Sequence, residues 1–152
     1  PAPNPRAAVS SCDLNAGSFT SSDAPDIHMV FGENYCWNGI TPVVYKTSGE
    51  FRDVTRHELI GKYGGEADFD VRYFQIDQGG FSSLEKHIHV HVIICVRGTG
   101  TLLCGSSRYI LRPFDVAYVP PLHIHQLRND GTEGPFGFFC IVNHLRDKPL
   151  KP

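Results

Sequence analysis

From Val43 onward the chain breaks into short apolar runs, and Gly, Pro, Asn or Asp ends each of them within about ten residues. Residues 43–46 form one such run. Residues 70–76 alternate, with Val71, Tyr73 and Gln75 on one parity and Arg72, Phe74 and Ile76 on the other, until Gly79-Gly80 stops them. Residues 90–96 are strongly β-branched and end at Gly98-Thr99-Gly100; residues 101–104 pair back before Gly105. Further runs over 109–111, 116–119, 124–127 and 136–142 are separated by Pro113-Phe114-Asp115, Pro120-Pro121 and the hairpin signal Asn129-Asp130-Gly131. Strands this short and this regularly punctuated predict an antiparallel, all-β sandwich or barrel rather than alternating strands and helices. Residues 54–60 are open between one helical turn and a strand.

A length of 152 residues fits one domain with a core of its own, assigned to residues 26–152. Residues 1–25, rich in Pro, Ser, Ala and Asn without apolar periodicity, are expected to be a loose arm that packs on a neighbouring subunit. A net charge of -2 leaves no basic footprint, so no nucleic-acid partner is expected. No apolar run approaches the roughly 20 residues of a membrane helix, and no charged-then-apolar leader opens the chain. No membrane partner is expected, and the protein reads as cytoplasmic. The cysteines at 12, 36, 95, 104 and 140 form no C-x-x-C pair, which is consistent with a reducing compartment. Cys95 and Cys140 fall within apolar runs, where a free thiol packs as a small hydrophobe.

The chemistry concentrates in Glu85-Lys86-His87-Ile88-His89-Val90-His91 and in His125. Side chains at every second position of a strand share a face, so several of these groups can converge on one ion. Imidazole with carboxylate suits divalent Fe, Mn, Cu, Ni or Zn. The competing reading is the solvated face of an edge strand, with Ile88, Val90 and Val92 turned inward.

Residues 79–129 resemble the two signature motifs of the cupin superfamily, whose fold is a double-stranded β-helix or jelly-roll barrel. In the first motif a glycine follows the third metal ligand, and counting back from Gly98 gives His91, with Glu85 and His87 as the first two. In the second, Pro120, His125 and Asn129 stand at the family's spacing, preceded by Asp115 and Tyr118-Val119. The resemblance implies metal ligation by Glu85, His87, His91 and His125. The chain departs from the family's pattern in having His91 where a glutamate is usual, Leu122 before the second-motif histidine and Phe114 at positions often held by glycine. His89 is open between a fourth ring on the shared face and, if the chain bends there, an acid/base group at the cavity mouth. Glu85 and His89 are the candidate catalytic groups. His123 is read as a rim residue, Lys86 as a solvated charge, and His28, His57 and His144 as structural or surface residues. Tyr73, Phe74, Phe81, Phe114, Phe136, Phe138 and Phe139 are expected mostly in the barrel core, some lining the pocket.

A divalent ion held by imidazoles keeps open positions for a small oxygen-bearing substrate and stays a Lewis acid. The leading expectation is a metal-dependent, dioxygenase-like oxidoreductase, because a histidine-rich set favours redox-capable ions. A non-redox lyase or isomerase and a ligand-binding cupin without turnover are the alternatives. A homodimer is expected, with the segment carrying Phe31, Tyr35 and Trp37 covering an open sheet edge.

Overall fold

The computed structural model describes residues 30–61, 67–150 and 152; the expected N-terminal arm and His28 lie outside them. A short 3-10 turn, Glu33–Tyr35, precedes nine strands: β1 (Val43–Val44), β2 (Arg52–Ile60), β3 (Phe69–Phe81), β4 (His91–Arg97), β5 (Gly100–Cys104), β6 (Ser107–Leu111), β7 (Val116–Val119), β8 (His125–Arg128) and β9 (Phe136–Asn143). The ambiguous stretch 54–60 is strand, fixed by antiparallel pairing along β3. The order β6-β5-β8-β3-β9-β4-β7, with β2 added on β3 and β1 on β2, is an antiparallel, nearly closed jelly-roll barrel.

The period of two decides what the barrel encloses. Arg72, Phe74 and Ile76 of β3 stand opposite Cys140, Phe138 and Phe136 of β9, and Ile93 and Cys95 of β4 and Leu102 of β5 complete a buried centre. Removing any one of the large rings from this centre, such as the fully buried Phe136, is worth about 3–5 kcal/mol. The opposite parity carries a second cluster. Tyr73 and Phe139, expected in the core, pack on the outer face, where Trp37 meets Tyr73 at a ring distance of 5.0 Å and Phe139 at 5.8 Å. Trp37 and Tyr35 thus cover a sheet face of their own chain, with the Arg97 guanidinium 4.5 Å from the Tyr35 ring. His57 joins the same cluster against Trp37.

Phe114 is the clearest departure from the expected core: it is 86% exposed. It occupies the β6–β7 turn at φ 76, held there by its own N–H donating to Cys95 O at 2.7 Å. Leu122 sits at φ 61 in the turn before β8. Both positions have the left-handed backbone that glycine adopts freely and other residues adopt at a cost of about 1–2 kcal/mol. The glycines absent from the motif are therefore absent from positions whose geometry asks for them. Gly98 is where it is needed. At φ +62, a Cβ there would lie 2.3 Å from Pro135 O. Asn129 is buried and closes the β8–β9 turn, its amide donating to Ile76 O at 3.0 Å and Gly134 O at 2.8 Å.

Cys95, Cys104 and Cys140 are free thiols. Cys36 is disulfide-bonded. Among the described residues no helix is long and apolar enough to cross a membrane.

Candidate metal centre

β4 and β8 carry His91 and His125 on their inward parity, and the segment entering β4 adds His87 from the same side. The ring nitrogens of the three lie within 4.8 Å of one another, and all three residues are buried. Each ring spends its Nδ1 on a fixed neighbour. His87 Nδ1 is 2.7 Å from His89 O and His125 Nδ1 is 2.9 Å from His123 O, so in both the Nδ1–H donates to a carbonyl. His91 Nδ1 is 3.4 Å from the Cys140 sulfur. That tautomer leaves Nε2 as a lone pair. Nε2 of His87 and of His125 is buried and has no hydrogen-bond partner. Two buried, convergent lone pairs without a hydrogen-bond partner are costly, and a divalent ion is the occupant they suit. Burial pushes the pKa of His87, His91 and His125 below the ordinary imidazole value, and their neighbouring rings push the same way, so all three are neutral and ready to ligate.

The chain does bend at Ile88-His89, and strand parity fails there. His89 stacks on His87 with ring centroids 3.6 Å apart and an interplanar angle of 8°. Its Nδ1–H donates to Asp147 Oδ1 at 2.7 Å, and its Nε2 stands 3.3 Å from His91 Nε2. Asp147 also accepts the backbone N–H groups of Ile88 at 2.8 Å and His89 at 3.0 Å. Those hydrogen bonds hold its carboxyl well below the usual carboxylate range. The segment around Asp147 is pinned again where Leu150 and Lys86 exchange backbone hydrogen bonds.

Glu85 lies outside the group of converging ring nitrogens. Its carboxylate accepts hydrogen bonds from Lys46 Nζ and from Ser83 Oγ, the latter at 2.7 Å. Burial raises its pKa, but the Lys46 ammonium and the Ser83 hydroxyl outweigh that and hold it below the ordinary value. A backbone bridge to His125 keeps Glu85 beside the site. His123 is exposed on the rim, and the imidazole of His144 donates to Asp70 at 2.7 Å away from the triad.

His89, His91 and His125 line a cavity of about 210 Å³. Besides His89, His91, His125 and Glu85, its wall includes Lys46, Arg56, Arg72, Arg146 and Cys140, none of which stood out in the sequence. A signal was present for two of them: Arg72 shares the parity of Phe74 and Ile76, and Cys140 that of Phe136 and Phe138. Arg146 and Asp147 come from beyond the last strand and gave no periodic signal at all.

An antiparallel jelly roll with two motif segments that bring three histidines to one point defines the class, and the comparisons agree. The Cupin domain family profile matches residues 72–142, and the chain belongs to the cupin family. It is 36% identical over 124 residues to the 1-methylthio-D-xylulose 5-phosphate methylsulfurylase of Rhodospirillum rubrum, a match covering 80% of this chain and 78% of that one. The crystal structure of a cupin-2 domain protein from the same organism superposes with a TM-score of 0.72 at 35% identity, covering 80% of this chain and 81% of the other. A cupin 2 conserved barrel domain protein from Rhodopseudomonas palustris gives 0.68 at 36% identity, covering 76% and 79%.

Proposed function

We propose that this protein is a metal-dependent cupin enzyme acting on a small, phosphorylated, oxygen-bearing substrate of the ketose type, the kind of molecule its Rhodospirillum rubrum relative is named for. The observation that carries the reading is the pair of orphaned Nε2 atoms on His87 and His125, converging with His91 beside a cation-lined cavity. His87, His91 and His125 would hold the ion, and Glu85 is the candidate fourth ligand if Lys46 releases it. Bound there, a divalent ion supplies a Lewis acid that polarises a substrate carbonyl or hydroxyl and eases loss of a neighbouring proton.

The chain's own groups then divide the work. His89 is the candidate proton carrier: Asp147 fixes its Nδ1–H, which leaves Nε2 as the acceptor facing the cavity. Asp147 and the backbone bridge at Leu150 keep the segment 147–150 against the mouth and limit water. Lys46 neutralises Glu85 in the substrate-free protein and is a donor to substrate oxygen once displaced.

A dioxygenase-like oxidoreductase is the second reading, favoured by the all-histidine triad, which suits redox-capable ions. The experiment that decides is turnover of a pentulose phosphate, with oxygen uptake followed, by protein loaded with Fe(II), Mn(II) or another divalent ion. Turnover without oxygen consumption supports the proposal, stoichiometric oxygen uptake supports the second reading, and no turnover with bound metal contradicts both. The expected homodimer is retained as part of the proposal, and a monomer by light scattering at micromolar concentration would contradict it.

A further inference from the structure

Four cationic side chains line the cavity, and three of them have a carboxylate. Lys46 is paired with Glu85, Arg56 with Glu58 at 3.0 Å, and Arg146 with Asp70. Arg72 has none among the described residues. It is 9% exposed; its Nη2 donates to the Cys140 sulfur at 3.3 Å, its guanidinium carbon lies 5.1 Å from the Phe74 ring centre, and its Nε is buried without a partner. A buried, unpaired guanidinium is among the most expensive arrangements a folded chain can carry.

Beside it stands a second unfilled donor. Arg56 Nη1 donates to Tyr45 O at 3.1 Å and Nη2 faces Glu58, but its Nε is also buried and unpartnered. The β2–β3 register sets Arg56 opposite Phe74 and Glu58 opposite Arg72, which makes the two arginines diagonal neighbours on one inner face. Side chains so placed are within reach of one small group lying between them. Burial lowers the pKa of Arg56, Glu58 opposes this, and Arg72 and Arg146 add to the lowering. An anion between the arginines would relieve that repulsion.

We propose that Arg72 and Arg56, with Arg146 at the rim, form a phosphate-binding pole of the cavity, joined to His91 through the Cys140 sulfur, which takes the phosphoryl group of a phosphate monoester. A tetrahedral oxyanion offers enough oxygens to accept from both Nε–H groups at once, and the guanidinium fork matches its geometry. A carboxylate offers two oxygens in one plane, whereas a phosphoryl group spreads three around the phosphorus and carries more charge to set against two guanidinium groups. This inference rests on the reading of the cavity as the substrate site but not on the metal.

The test is calorimetric titration of metal-stripped protein with inorganic phosphate, D-ribulose 5-phosphate and unphosphorylated D-ribulose. Stripping the metal removes direct phosphate–metal contact as an explanation, so failure of the metal reading and failure of this one are separate results. Wild type is expected to bind both phosphorylated probes, and the free sugar at least about ten-fold more weakly, the size of one charge-assisted hydrogen bond. Arg72→Gln and Arg56→Gln are each expected to lose about ten-fold or more, and Arg72→Lys less, because it keeps the charge without the fork. Without phosphate, Arg72→Gln should melt no lower than wild type, since it removes an unpaired buried charge; a lower melting point would make Arg72 a structural residue and overturn the proposal. Phosphate affinity equal to wild type in Arg56→Gln, or no phosphate binding by metal-free wild type, would also overturn it.

Discussion

Acidifying the metal-free protein from about pH 7.5 to about pH 5.5 is expected to lower folding stability through the histidine triad. His87, His91 and His125 are 1%, 9% and 3% exposed, and all three have folded-state pKa values below the ordinary 6.5. Above about pH 6.5 both folded and unfolded rings are neutral, and nothing is gained or lost. Below it the unfolded chain binds protons that the folded site refuses, so stability falls with pH until the folded pKa is reached. One unit below the reference value a fully refused proton is worth up to about 1.4 kcal/mol. His57 and His89 are shifted down as well and act in the same direction. Asp70, Glu85 and Asp147 are held low, and what they contribute is lost only near and below their ordinary range, outside this window. Against a total of about 5–15 kcal/mol, a loss of this size is easily seen as a drop in the urea midpoint at constant m. A midpoint that stays level from about pH 7.5 to 5.5 would refute the reasoning, because it would mean that the rings accept protons in place.

Three further outcomes follow from named contacts. Glu85→Gln keeps the shape but removes the charge opposite Lys46; if Glu85 is a base, metal content is retained and turnover stops, whereas full turnover with full metal occupancy would make it a bystander. Asp147→Asn should leave metal content near wild type but lower turnover by about 10–100-fold, because His89 loses the carboxylate that fixes its tautomer; unchanged turnover would remove His89 as proton carrier. Phe114→Gly should stabilise the fold by about 0.5–1 kcal/mol, the relief of the left-handed backbone less the entropy of glycine in the unfolded chain, and a lower melting temperature would contradict it.

How much of this was legible follows from which residues neighbour each other in sequence. The strands from β3 to β9 were readable because β-branched and aromatic runs alternate cleanly and Gly, Pro and Asn end them. His87, His91 and His125 were readable because two short motifs with fixed spacing carry them. β2 was ambiguous because Arg56 and Glu58 point inward, so its pattern of charged and apolar residues does not separate two faces. The cationic wall was missed for the same reason: Arg56, Arg72 and Arg146 come from three separate segments, and only the β2–β3 register and the turn back after β9 bring them together. Phe114 was misassigned to the core because an aromatic beside a proline reads as apolar content, while its exposure is fixed by a positive φ that residue type does not announce. Glu85 was read as a ligand by spacing, yet its salt bridge depends on Lys46, far away in sequence.

The most direct test of the account is metal analysis of protein purified without oxygen, comparing wild type with His91→Ala, His125→Ala and His144→Ala. One divalent ion per chain is predicted in wild type and in His144→Ala, whose ring bonds Asp70 and not the site. His91→Ala and His125→Ala are each predicted to lose it, since the barrel has no other group on those strands to replace the missing nitrogen. Equal metal content in all four proteins would contradict the assignment of the site.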